Sequence, residues 1–255
     1  MLKDFSKMKF DVVIQAGQSN AEGTGFGPAP EPYQTNERVW YLNRNFTITA
    51  AAETVLENET RSDFSLSFAR AYLNSGLLEE GRSLLILRSA VGGTGFLDRH
   101  WGLQDDHFLT MTEMIETALA LNDENRLIAM LWHQGETDAI LNAAYDGHYA
   151  HLNALLHAVT ERFDVPDLPF IAGDFVQQWK EENPVICPPV VDAMRDVCKN
   201  YPAGAFVETD GLPSNYQQMG HETLNFKDSI HFSRASLYQL GERYFEAFLR
   251  LRGKA

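Results

Sequence analysis

Phe10-Asp11-Val12-Val13-Ile14-Gln15-Ala16 is a short, nearly continuous apolar run, and it stops at Gly17-Gln18-Ser19-Asn20-Ala21-Glu22-Gly23, a small polar turn bracketed by glycine. A run of that length bounded by turn residues reads as a buried strand, and strands without polar alternation belong to parallel sheets covered on both faces. Residues 38–42, 84–90, 127–133, 168–174 and 205–209 read the same way. Helix-period segments fall between them: Phe64, Phe68, Ala71 and Tyr72 after a cap at Ser62 or Asp63, then Met111, Met114, Ile115, Ala118 and Leu119. Further helices are expected at about 141–163, 190–200 and 234–251, the last with Leu237, Leu240, Tyr244, Phe248 and Leu251 on one stripe and Ser233 as its cap. Strand then helix, repeated, predicts an α/β fold in a single domain over residues 1–255. Residues 23–36 and 209–227 lack apolar period and are expected as long surface loops framing a site.

With 255 residues, 44% of them apolar, the chain can bury a sizeable core. Its 21 Lys and Arg against 35 Asp and Glu give a net charge of −14, which repels nucleic-acid backbones and anionic lipid headgroups. No segment approaches the roughly 20 apolar residues of a membrane span, and residues 1–10 carry Lys3, Lys7 and Lys9 without a signal-type apolar stretch. A cytoplasmic protein is therefore expected, with Cys187 and Cys198 as free thiols.

Ser19 ends the first strand at the edge where open α/β sheets hold their ligands. A serine nucleophile needs such a place, with its hydroxyl projecting and its own N–H free, and it needs a base. Asp228-Ser229-Ile230-His231 supplies one candidate, since one tight turn brings Asp228 to the Nδ1 of His231 and leaves Nε2 for Ser19. His148, His151 and His157 are expected on the solvated face of a helix, and His100, His107 and His221 on loops without a comparably spaced carboxylate. After the strand at 84–90 comes Val91-Gly92-Gly93-Thr94-Gly95, whose backbone N–H groups can approach a ligand closely. After the next strand comes Trp132-His133-Gln134-Gly135-Glu136-Thr137-Asp138, which offers the Gln134 amide as a further donor at the same edge.

The order of these blocks resembles the SGNH hydrolase superfamily, and Gly17-Gln18-Ser19-Asn20 with His133-Gln134-Gly135-Glu136 looks like the family-six carbohydrate acetylesterases and the related sialate O-acetylesterase domain. The resemblance implies a three-layer, flavodoxin-like α/β/α fold around a mostly parallel sheet of about five strands. It implies Ser19 as nucleophile, His231 as general base and acid, Asp228 as its orienting carboxylate, and an oxyanion hole of the Ser19 N–H, an N–H of Gly92 or Gly93, and the Gln134 side chain. Glu136 either fixes the Gln134 loop or lines the substrate pocket. Ala21 departs from the methionine usual in the first block, and Ser236 from a glycine common after the histidine. No metal or cofactor is called for. The substrate implied is a small acetylated carbohydrate, first an acetylated xylo-oligosaccharide cleaved through an acetyl-enzyme on Ser19. Sialate O-acetyl hydrolysis and a sugar-binding module without catalysis are the alternatives. Trp101 and Phe96, beside the glycine loop, and Trp179 are candidate sugar platforms, whereas Trp40 is expected in the core.

Overall fold

A computed structural model describes residues 3–56, 58–220 and 227–253 of the chain. The first strand, β1 (Lys9–Gly17), leads into one helical turn, α1 (Ser19–Glu22). Four short strands follow, β2 (Val39–Leu42), β3 (Ile48–Ala50), β4 (Thr54–Leu56) and β5 (Glu59–Arg61), then α2 (Phe64–Asn74). Strand and helix alternate after that: β6 (Arg82–Arg88), α3 (Asp106–Ala120), β7 (Arg126–His133), α4 (Glu136–Ile140), α5 (Tyr145–Arg162), β8 (Phe170–Gly173), α6 (Gln177–Glu182), α7 (Cys187–Asn200) and β9 (Gly204–Val207). The described chain closes with α8 (Asn215–Met219) and α9 (Arg234–Arg252).

Seven strands form one sheet in the order β3-β2-β6-β1-β7-β8-β9, all parallel except β3 against β2, while β4 and β5 pair as a separate hairpin. The mostly parallel α/β architecture agrees with the sequence reading, with seven strands instead of about five. The extra edge strand and the hairpin escape notice because each has three residues and an exposed or half-buried surface, so neither leaves an apolar run. The expected helix at 141–163 is α5 with a break before it, where Asn142 takes a left-handed φ of 61° and separates it from α4. Both predicted caps are present: the Asp63 carboxylate accepts from the Ser65 N–H at 2.8 Å, and the Ser233 hydroxyl from that of Ser236 at 3.2 Å.

The chain order reverses about β1, with β2 and β6 on one side and β7, β8 and β9 on the other, so a crevice opens at the carboxyl ends of β1, β6 and β7. The core is continuous around β1, whose Phe10, Val12, Val13, Ile14 and Ala16 are fully buried. Asp11, buried in the same strand, is matched by Arg82 and Arg126, each Nε at 2.7 Å, and by the Tyr72 hydroxyl at 2.7 Å. Burial alone would raise its carboxyl, but these donors outweigh burial and hold it below the usual carboxylate range. α2 packs on α9, and α5 on α7. The first crossing is backbone-close at one point, for a Cβ built on Gly241 would stand 1.9 Å from the Phe64 carbonyl oxygen and 2.1 Å from the Ser67 Oγ. Among the described residues no helix is long and apolar enough to cross a membrane.

Candidate active site

Gly17 makes the turn out of β1: its φ of +133° disfavours any other residue, and an added Cβ would lie 2.1 Å from the His133 carbonyl oxygen. The turn is pinned by the Gln18 N–H on that same carbonyl at 2.9 Å, and the Gln18 side-chain oxygen accepts from the Thr137 N–H at 3.1 Å. Ser19 thus begins α1 with 8% of its surface exposed. Across the crevice, the His231 Nε2 lies 2.9 Å from the Ser19 Oγ, and the His231 Nδ1 lies 2.8 Å from the Asp228 Oδ1. The spacing read from Asp228-Ser229-Ile230-His231 therefore folds as a single turn, bringing together three side chains from the two ends of the chain. An ionised carboxylate only accepts, so the Nδ1 carries the proton and the Nε2 lone pair faces the serine hydroxyl.

Asp228 is buried, which alone would raise its carboxyl, but the donors His231 and Asn215, the latter at 2.9 Å, prevail and lower it below the ordinary range. The turn hangs on the start of α8, where the N–H groups of Asn215 and Tyr216 donate to the carbonyls of His231 and Asp228 at 2.8 and 3.0 Å. Asn20 grips it from the other side. Its amide oxygen accepts from the Phe232 N–H at 3.0 Å, and its Nδ2 donates to the Ile230 carbonyl at 3.0 Å and to the Glu136 Oε1 at 2.7 Å. The residues on either side of His231 are thus fixed by the residue that follows Ser19.

Glu136 is fully buried and holds Asn20, and burial pushes its carboxyl up. Behind it stands His133, also fully buried, whose Nδ1 lies 3.0 Å from the Tyr244 hydroxyl, which in turn donates to the Trp132 carbonyl at 2.8 Å. Burial drives the His133 imidazole down to about 3, so it is neutral.

The two glycines of the next block differ. The Gly92 N–H donates to the Glu22 Oε2 at 2.8 Å, whereas among the described residues nothing accepts from the N–H of Gly93 or of Ser19. An added Cβ on Gly92 would lie 3.5 Å from that of Ser19, so this loop does border the serine. Gln134 is fully buried, and its Nε2 donates to the Asp138 Oδ2 at 2.8 Å and the Thr94 carbonyl at 3.2 Å. Both amide hydrogens are taken, and in this arrangement neither is left for an oxyanion at Ser19. Asp138 is the hub here, for it also accepts from the N–H groups of Phe96 and Leu97 at 3.0 and 2.8 Å and ties the glycine loop to α4.

Trp101 is a correction to the sequence reading. It is fully buried edge-on against Trp132, with its Nε1 donating to the Thr94 hydroxyl at 3.0 Å, and it offers no face to a sugar. Phe96 and Trp179 are buried as well, and Trp40 is only half-buried. His148 is not solvated but buried, 3.5 Å from Asp138. His100 and His107 do have a carboxylate: Asp106 is 2.9 Å from one Nδ1 and 3.2 Å from the other. Among the described residues these three are the group able to converge on a metal, but the Arg44 Nη2, 3.2 Å from the His107 Nδ1, sets a positive charge against any cation. His221 lies outside the described residues. Cys187 and Cys198 are buried free thiols, both pushed up to about 12 by burial. Asn20, Asn215 and Asp138 were not singled out from sequence. Asn20 and Asp138 stand inside the quoted blocks; Asn215 has no local signal.

Fold and site together resemble one class, the SGNH-type α/β hydrolases. Within it, the chain belongs to the family described as carbohydrate esterase, sialic acid-specific acetylesterase, whose model matches residues 9–250. It is thus a carbohydrate acetylesterase-type hydrolase. No curated protein matches the chain by sequence. Among solved structures, NanS aligns at a TM-score of 0.79 and 19% identity, over 98% of this chain and 99% of its own. A protein from Arabidopsis thaliana aligns at 0.73 and 18%, over 94% and 98%. A carbohydrate acetylesterase from Xanthomonas citri aligns at 0.60 and 15%, over 96% of this chain and 57% of its own. At such identities these likenesses speak for the fold.

Proposed function

We propose that this chain is a serine esterase that removes O-acetyl groups from sialic acid through an acetyl-enzyme on Ser19. The reading is carried by the unbroken line from the Ser19 Oγ through the His231 imidazole to the Asp228 carboxylate, at 2.9 and 2.8 Å. The Nε2 of His231 takes the hydroxyl proton as the Oγ attacks the acetyl carbonyl. The oxyanion so formed is met by the N–H groups of Ser19 and Gly93, neither of which has an acceptor among the described residues. Collapse breaks the ester bond, and the departing sugar oxygen receives the proton from the Nε2. Water then attacks the acetyl-serine, giving its proton to His231, and acetate leaves as the Ser19 hydroxyl is restored.

The family description supports sialic acid over acetylated xylo-oligosaccharide as the parent sugar. Ser19→Ala should abolish hydrolysis of 4-nitrophenyl acetate and labelling by a fluorophosphonate. A Ser19→Ala protein as fast as the parent would overturn the mechanism. Acetate release from 9-O-acetyl sialic acid set against acetylated xylo-oligosaccharide tests the sugar, and preference for the second would overturn that part alone.

A further inference from the structure

A cavity of about 150 Å³ lies beside the glycine loop, lined by Gln15, Glu22, Asn43, Arg44, Arg88 and Ala90. Two contacts link it to Ser19: the Glu22 carboxylate in its wall holds the Gly92 N–H, and Gly92 in turn borders the serine. The two guanidinium groups in its wall are not equivalent. Arg88 lies over the Tyr41 ring, donates to the Glu22 carbonyl at 2.7 Å and has Asp63 at 3.9 Å. Arg44 is half-buried, and its Nη1 donates to the Ser89 carbonyl at 3.1 Å while its Nη2 stands 3.2 Å from His107. No carboxylate among the described residues comes within ion-pair reach of it; Glu22 and Asp106 act on it only from farther off. A partly desolvated cation without a counter-ion is costly, and a bidentate carboxylate is the ligand that matches its fork.

We propose that this cavity is the acid-recognition subsite of the enzyme, with Arg44 binding the carboxylate of the sugar whose acetyl group lies at Ser19. The inference rests on the sialate reading and deepens it by naming the group that selects an acidic sugar over a neutral one. It specifies binding and adds no chemical step.

The test measures acetate release from 9-O-acetyl-N-acetylneuraminic acid and from its carboxyl methyl ester, with 4-nitrophenyl acetate as a small neutral control. The wild type should lose about 10- to 100-fold in kcat/KM from acid to methyl ester, chiefly through KM. Arg44→Met should lose a similar factor on the acid, lose little more on the methyl ester, and stay within about twofold on 4-nitrophenyl acetate. Arg44→Lys, which keeps charge but not the fork, should fall between the two. Equal rates of wild type on acid and methyl ester would overturn the subsite without recourse to any variant. So would an Arg44→Met protein slowed alike on all three esters, since that marks a structural role. Failure of the wild type on both sialates, with 4-nitrophenyl acetate still cleaved, would instead remove the sialate reading itself.

Discussion

Replacing Asn20 by alanine should cost both stability and turnover, in proportions that the geometry sets. The substitution deletes three hydrogen bonds, from the Phe232 N–H at 3.0 Å, to the Ile230 carbonyl at 3.0 Å and to Glu136 at 2.7 Å. Phe232 and Glu136 are fully buried, so water cannot replace the lost partner. An orphaned buried polar group costs about 1–3 kcal/mol, and two of them set the loss at about 2–6 kcal/mol. For a domain of this size that corresponds to a melting point lower by about 4–24 °C. Ile230 and Phe232 also flank His231, and freeing both lets the imidazole drift from Ser19. Misplacement by an ångström can cost about 100-fold, and kcat should fall by about that factor with little change in KM. Calorimetry of the variant beside 4-nitrophenyl acetate kinetics, measured well below its melting point, reads both quantities. A variant melting within about 1 °C of the parent and turning over within twofold would refute the idea that Asn20 sets the histidine.

Gln134→Ala should lose about 1–3 kcal/mol of unfolding free energy in urea, because Asp138 and the Thr94 carbonyl lose a buried donor; its rate should fall less than tenfold, whereas a loss of about 100-fold or more at unchanged stability would restore it to the oxyanion hole. Asp11→Ala leaves Arg82 buried without its carboxylate and should cost about 3–5 kcal/mol in denaturant melts while kcat on 4-nitrophenyl acetate holds. Acid should weaken the fold through its buried imidazoles. His133 is held down to about 3 by burial, and His107 to about 4 by burial and then by Arg44, so the folded forms stay neutral while the unfolded chain binds protons below about 6.5. Their contribution is complete above pH 6.5 and is lost as the pH falls toward 4 and then 3, His133 alone giving a slope of up to about 1.4 kcal/mol per pH unit. Melting points taken across that range check the sign, and a melting point that rises on acidification would contradict it.

Much of this molecule can be read along the chain because its signals are local. The run from Phe10 to Ala16 is apolar since both faces of β1 are covered, and Asp228 reaches His231 because a single turn spans three residues. Longer-range facts left no such trace. Whether Gly92 or Gly93 keeps a free N–H depends on Glu22, far off in sequence, folding back onto the loop. His148 looks solvated on a helical wheel, yet Asp138 and Phe96 receive it inside. Trp101 could have faced a sugar or the core, and its indole N–H finding the Thr94 hydroxyl decided the matter. Strands of only three residues lack the length for a period to show.

The bare contact of Gly241 with the Phe64 carbonyl gives the last helix a hard stop. That helix starts just beyond His231, so its seating depth also fixes how deep the imidazole sits. The bend around Ser233 then works like the elbow of a jig: one end is clamped on a neighbouring helix and the other presents a ring nitrogen at a set height. Bulk added at residue 241, though remote from any substrate, would lift the whole arm, and this enzyme could be throttled from its back without altering a single group that meets the sugar.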